Sequence, residues 1–453
     1  MEYQQFIDSK KINFPESGFK TTKEFNPQLF DFQKDIVNKA LEKGKFCIWG
    51  GCGCGKALML LEWANHVCHH TQKRILILAP LSVAKQIKRE ADKFGYYLPK
   101  YLRQDDGNTQ IVITNYEMLK YFNANDFVGV VLDESSILKG MTSKTKQTLI
   151  DTFKHTPYRL ATSATPSPND YMELGNQSEF IGAMDAHVML SMFFTHDSSN
   201  TSKWRLKHHS QASFWNWVSN WAIGFENPKE LYPEVDNYQL PPLIYTYHEI
   251  PMFFNSGKDG QISCYANTLS EQRIARKNSI QERIDKVAEI VNASDEQWLV
   301  FCDLNEESKQ LHSAISNSVE VKGADKPNKK EGNIMAFINK DAKVLVSKPS
   351  IVGMGLNFQQ CNNIIYASLT HSWESFYQSV RRCWRFGQNK QVNVHIVYST
   401  PEYPVIQNIE RKEVQAKEMN QYLIEAMESQ YKPKVQKIAE YNPQQPIKLP
   451  SFL

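Results

Sequence analysis

Along this chain the spacing of apolar and polar positions alternates between a helical period and short continuous apolar runs. In "FQKDIVNKALEKG", Ile36, Val37, Ala40 and Leu41 share one helical face and Gly44 ends the run, which predicts an amphipathic helix. Strand-like runs follow at "FCIW", "RILILAP", "QIVIT", "VGVVLDE" and "YRLATSAT", with helical patterns between several of them. Continuous apolar strands separated by helices predict a parallel sheet covered on both faces. A second series of the same kind starts with a helix over about 270–292. It continues through "QWLVFC", the helix "NEESKQLHSAI", "VEVKG", "KVLVSK", "NNIIYA", the helix "SWESFYQSVRRCWRFG" and "VNVHIVYS".

Between the two series the texture changes. Residues 186–250 are rich in Trp, Ser and His, and Phe214, Trp217, Val218 and Trp221 recur at helical spacing before a Pro-rich link, "LPPL". This segment reads as a helical insertion whose aromatics form its own small core. The expected fold class is α/β: two parallel-sheet lobes, over 1–185 and 251–400, with the insertion between them. Residues 401–453 read as a C-terminal helical brace and a Pro/Gln-rich flexible tail.

Bulk composition narrows this picture only slightly. A chain of 453 residues with 41% apolar content can bury two or three ordinary cores. Its 52 basic and 49 acidic residues nearly cancel, so any nucleic-acid surface must be local. The start, "MEYQQFIDSKK", has no apolar core of a secretory signal, and no apolar run reaches the roughly 18 residues of a membrane helix. The eight cysteines include no C-x-x-C pair, which suits reduced thiols in a cytoplasm. "HVCHH", His66 to His70, reads as the polar end of a helix rather than a metal site.

Three stretches carry chemistry. In "GGCGCGK", Gly50, Gly55 and Lys56 have the G-x-x-x-x-G-K spacing, entered from a strand and left by a helix. Backbone N–H groups of Gly51, Gly53, Cys54 and Gly55 can then close around phosphates, and Lys56 can reach the β- and γ-phosphates. The next residue, where a Ser or Thr hydroxyl would ligate Mg²⁺, is Ala57. In "VVLDESS" an apolar strand ends at Asp133–Glu134. Asp133 can hold Mg²⁺ through its water shell, and Glu134 can orient and deprotonate an attacking water. In "QSVRRCWRFGQ", Arg382 and Arg385 stand three apart, suited to stabilising the charge of a phosphoryl-transfer transition state.

These stretches, with Gln33, "ILAPLSVAKQ", "ITNYEML", "TSATPSPND" and "VSKPSIVGMGLNF", resemble the ordered motifs of a superfamily 2 helicase. "VSKPSIVGMGLNF" and "QSVRRCWRFGQ" resemble the Swi/Snf-like branch, and "DESSILK", "TPSPNDYMELGNQSEF", "SKWRLK" and "RRCWRFGQ" are similar to short members encoded by phages and prophages. The likeness spans about residues 25–420. It implies two RecA-like lobes, ATP and Mg²⁺ as cofactors, and Gln33 as the reader of adenine. Lys56, Asp133 and Glu134 would handle phosphate, metal and water, with Gly355 approaching the nucleotide from the second lobe. Gln378, Arg382 and Arg385 would act from the final motif, and Ser163 and Thr165 would couple hydrolysis to lobe movement. Pro80, Ser82, Asn115, Ser347 and Asn357 would follow a DNA backbone, with Lys203, Arg205 and Lys207 as further phosphate contacts.

The implied activity is a DNA-dependent ATPase that translocates on double-stranded or branched DNA, with a strand-separating helicase and an ATP-gated binding module as rivals. Replication or recombination proteins are the implied partners, the implied place is the bacterial host cytoplasm, and the tail "QQPIKLPSFL" faintly resembles a sliding-clamp ligand. Two residues depart from the pattern: Ala57, and Arg381 where the family usually has a small acidic residue.

Overall fold

The computed structural model describes residues 14–140, 143–196, 204–235, 238–255, 262–263, 265–352 and 356–431. Gly355, Lys203 and the tail beyond 431 lie outside them. The apolar runs of the first series become β1 (Lys45–Gly50), β2 (Ile75–Ala79), β4 (Ile111–Asn115), β5 (Gly129–Asp133) and β6 (Tyr158–Thr162), with a short β3 (Pro99–Tyr101). A hairpin of β7 (Phe194–His196) and β8 (Trp204–Leu206) follows, then β9 (Ala222–Phe225). The first sheet has the order β3-β4-β2-β5-β6-β1-β9, and every pairing in it is parallel. Its central strands are almost wholly buried, with one apolar core on each face, which is why they read as unbroken apolar runs.

The second lobe repeats the plan. Strands β10 (Leu243–Ile250), β13 (Trp298–Phe301), β14 (Ser318–Val321), β15 (Val344–Ser347), β16 (Asn363–Tyr366) and β17 (Val392–Ser399) form a parallel sheet ordered β10-β17-β16-β13-β15-β14. A small ribbon of β11 (Phe254–Asn255) and β12 (Ile262–Ser263) lies outside it. The molecule is thus a pair of RecA-like α/β lobes. The helix Tyr403–Tyr431 joins them: Val405, Ile406 and Ile409 pack into the second lobe, whereas Met419, Leu423 and Ala426 enter the core of the first. At 1.5 Å per residue it reaches about 43 Å. Among the described residues no helix is long and apolar enough to cross a membrane.

Three local readings change. Residues 186–250 do not form a body of their own: β9 extends the first sheet beside β1, and β10 opens the second. Phe214, Trp217 and Trp221 pack with Trp49 in the first lobe's core. The helix over 270–292 is two helices, Leu269–Asn278 and Ile280–Asn292, meeting at the buried Ser279. Its hydroxyl donates to the Ala275 carbonyl and accepts from Arg283 Nε, both at 3.0 Å. The helix carrying the arginines stops at Val380, so Arg382 and Arg385 lie in the turns beyond it. There the Arg382 carbonyl accepts from Phe358 N at 3.0 Å, a partner that a continuing helix would have supplied from its own next turn.

Candidate nucleotide cleft and nucleic-acid groove

In parallel α/β sheets, ligands meet the carboxyl ends of the strands. β5, β6 and β1 are neighbours, so Asp133, Thr162 and the loop after Gly50 converge at one edge. The loop opens the helix Lys56–Thr71. Lys56 Nζ donates to the Gly50 and Gly51 carbonyls at 2.7 and 3.1 Å. Gly55 has φ +79°, and a Cβ there would lie 2.2 Å from Gln33 Nε2, so only glycine fits. Gln33 is buried. Its Nε2 donates to the Cys54 carbonyl at 3.0 Å, and its Oε1 accepts from Phe30 N at 3.0 Å. Each end of the amide keeps one further hydrogen-bonding position, so Gln33 can brace the loop and still meet a base. Ala57 packs against the first lobe's core and brings no oxygen to the loop.

Asp133 is buried and accepts from Thr162 Oγ1 at 2.6 Å, while Tyr116 donates to its backbone carbonyl at 2.7 Å. Burial raises its carboxyl above the ordinary carboxylate range. Glu134 has φ +55°, a left-handed conformation costing of order 1–3 kcal/mol in a non-glycine residue and common at functional sites. Burial, and then the adjacent Asp133, push the Glu134 carboxyl up to about 7, while Lys56 and Arg382 pull the other way. A carboxyl held near neutrality is suited to proton transfer.

The second lobe closes this edge. Gln378 Nε2 donates to Glu134 Oε2 at 3.4 Å. Arg382 is buried, with Nε donating to the Gln378 carbonyl at 3.0 Å and one terminal nitrogen to the Leu356 carbonyl at 3.2 Å. A Cβ built on Gly53 would stand 3.2 Å from the Phe386 amide nitrogen and 3.6 Å from Arg385 Cβ. Arg385 Nε is buried without a hydrogen-bond partner among the described residues. Thr165 takes part in two contacts: its amide donates to Ser163 Oγ at 3.0 Å, and its hydroxyl donates across the cleft to Glu374 at 3.3 Å. Glu374 also pairs with Lys139 of the first lobe.

The nucleic-acid expectations divide. Pro80, Ser82 and Asn357 line a cleft of about 780 Å³ between the lobes. Lys85 and Arg89, from the helix Leu81–Lys93, and Lys330, from the helix Pro327–Ile338, line it too, beside Glu90, Glu331 and the apolar Ile334 and Met335, and Lys330 Nζ donates to the Gly323 carbonyl at 2.7 Å. Helical spacing on Leu81–Lys93 could have marked the first two, but Lys330 comes from the other lobe. Asn115 and Ser347 do not line that cleft. Asn115 is buried with its amide held by Tyr101 and Glu117, and Ser347 is fully buried, donating to the Val321 carbonyl at 2.7 Å. Arg205 is exposed beside His208 and His209, whereas Lys207 Nζ donates to the Ser191 and Met192 carbonyls at 3.0 and 2.9 Å. Those carbonyls end the helix Ala186–Phe193, so Lys207 caps it. Sequence reasoning missed Tyr238, whose hydroxyl donates to the Cys52 carbonyl at 3.3 Å and whose ring stacks on Phe386 at 5.2 Å.

Comparison with known proteins agrees with a two-lobed helicase plan. Residues 26–168 match the family described as type III restriction enzyme, res subunit, and residues 282–387 match the helicase conserved C-terminal domain. Helicase-family domains on both lobes support a superfamily 2 helicase or translocase, an enzyme that uses ATP. A Bacillus subtilis protein, the uncharacterized ATP-dependent helicase YqhH, is 22% identical over 422 residues, covering 80% of this chain and 74% of its own. A Sulfolobus solfataricus SWI2/SNF2 ATPase core, solved with double-stranded DNA, is 16% identical, with a TM-score of 0.43 over 90% of this chain and 98% of its own. That last likeness is too loose to carry functional weight.

Proposed function

We propose that the chain is an ATP-driven translocase on double-stranded DNA. The observation that carries this reading is the convergence of Gln378, Arg382 and Arg385 from one lobe on Lys56, Asp133 and Glu134 of the other. In this reading the loop amides and Lys56 hold the phosphates, and Gln33 and the exposed Phe30 border the base. Glu134, with Gln378 beside it, orients a water and takes its proton. Arg385 offers its unpaired donor to the terminal phosphate, with Arg382 behind it.

Mg²⁺ would be held by Asp133 through water. Among the described residues no cluster of three or more His, Cys, Asp or Glu side chains could hold an ion alone. The site fits an ion that keeps several waters and leans on phosphate oxygens, even without a hydroxyl at Ala57. When bound, Mg²⁺ would offset the charge on the phosphates.

Cleft closure would reach DNA through the groove that Ser82, Lys85, Arg89, Lys330 and Asn357 line from both lobes. Contacts of this kind follow the backbone, weaken with salt and read little sequence. The motif likeness to phage-encoded members supports work in phage replication, recombination or DNA remodelling in a bacterial cytoplasm. Ala57 favours a second reading, an ATP-gated DNA-binding module with impaired hydrolysis. A displacement assay separates the readings: with ATP, the translocase should strip a triplex-forming strand from duplex but leave a forked duplex paired. Unwinding of the fork would make the chain a strand-separating helicase, and ATP-dependent binding without displacement or turnover would favour the gated module.

A further inference from the structure

Arg381, which departs from the motif pattern, is buried, and its guanidinium forms an ion pair with Glu226 of the first lobe. The Tyr377 hydroxyl donates to the same carboxylate, 3.0 Å from each oxygen. The Arg381 guanidinium lies 4.0 Å over the Trp384 ring, and Trp384 Nε1 donates at 2.7 Å to the carbonyl of Pro241, in the chain joining the lobes. Glu226 follows β9 directly. Gly51 N donates to the Phe225 carbonyl at 2.8 Å, and Cys54 Sγ lies 3.6 Å from the Glu226 carbonyl as its donor. One end of β9 is therefore tied to the phosphate loop by its backbone and to the arginine turn by the Glu226 side chain. Separating the lobes would break this ion pair and the Tyr377 hydrogen bonds to Glu226, and Arg381 would have to gain water in their place.

We infer that Glu226 is a positioning residue that, through Arg381 and Tyr377, latches the arginine turn onto the phosphate loop and holds the lobes closed before nucleotide binds. The effect on rate rests on the proposed ATPase; the effect on closure does not.

The test uses the full chain with dyes at the exposed Lys154 and Lys309, introduced as clickable residues, and reads the interlobe distance by energy transfer without nucleotide alongside ATP turnover. Arg381→Ala and Glu226→Gln should each widen the distance distribution. Because small misplacements of reacting groups are costly, each should lower kcat by about ten- to a hundredfold with a smaller change in KM for ATP. The charge-swapped pair, Glu226→Arg with Arg381→Glu, should restore a narrow distribution and most of the rate. Tyr377→Phe, which conserves volume, should shift the distance less, and it serves if the charge variants misfold. Single variants with the wild-type distribution, or a swapped pair no closer to wild type than the singles, would overturn the latch. A chain without any turnover would defeat the proposed ATPase, while the distance would still decide the latch.

Discussion

On the first lobe, Lys56 follows the loop that leaves β1, and Asp133–Glu134 stand at the carboxyl end of β5 in the same sheet. On the second lobe, Gln378 lies on a short helix, while Arg382 and Arg385 lie in the turns after it. The first set is held by parallel pairing that no lobe movement disturbs. The second is held by local hydrogen bonds, from Arg382 to the Gln378 and Leu356 carbonyls, from Phe358 N to the Arg382 carbonyl and from Gln388 N to the Arg385 carbonyl, and by contacts across the cleft. The comparison locates preorganisation on one rim and conformational sensitivity on the other. That is the arrangement a closing cleft needs if the catalytic set is to assemble only when the lobes meet.

The largest expected effect comes from the sensitive rim. Arg385→Ala should lower kcat by about 10³-fold or more, as loss of an arginine finger does, with KM for ATP changing far less. Equal losses in both, by steady-state kinetics, would deny Arg385 a role specific to the transition state. On the rigid rim, Glu134→Gln should keep ATP binding and cost about 10²–10⁴ in turnover, the usual worth of a general base. Turnover near wild type would place water activation elsewhere.

The DNA groove should respond more gently. Removing both Lys85 and Arg89 should make the log–log salt dependence of duplex binding shallower by up to about 2, near 0.9 for each phosphate left without its cation. An unchanged slope would retire that wall. The smallest effect is on pH. The Glu134 carboxyl is held up to about 7 by burial and by Asp133, and a base works only when deprotonated. Turnover should therefore rise between roughly pH 6 and 8, and a flat kcat profile there would contradict the role.

The same contrast explains what could be read in advance. Lys56, Asp133 and Glu134 are announced by local spacing next to apolar runs, because the strand that precedes each is also what positions it. Most strands were legible for the same reason. β9 and β10 were not: β9 is four residues within a Trp-rich stretch, and β10, on the edge of its sheet, lacks a buried apolar run. Glu226 was invisible because its meaning depends on Arg381, distant in sequence and in the other lobe. Asn115 and Ser347 were expected at the DNA, but their buried strand-end places commit their polar atoms to protein partners. Lys330 joined the groove through tertiary packing alone.

The most direct test of the account is steady-state ATP hydrolysis by this chain and its Ala57→Thr variant, each with and without linear duplex DNA. The chain as it stands should hydrolyse ATP, duplex should stimulate both proteins, and the rate should rise once the hydroxyl is supplied. Hydrolysis by neither protein, with duplex present, would contradict the proposed ATPase.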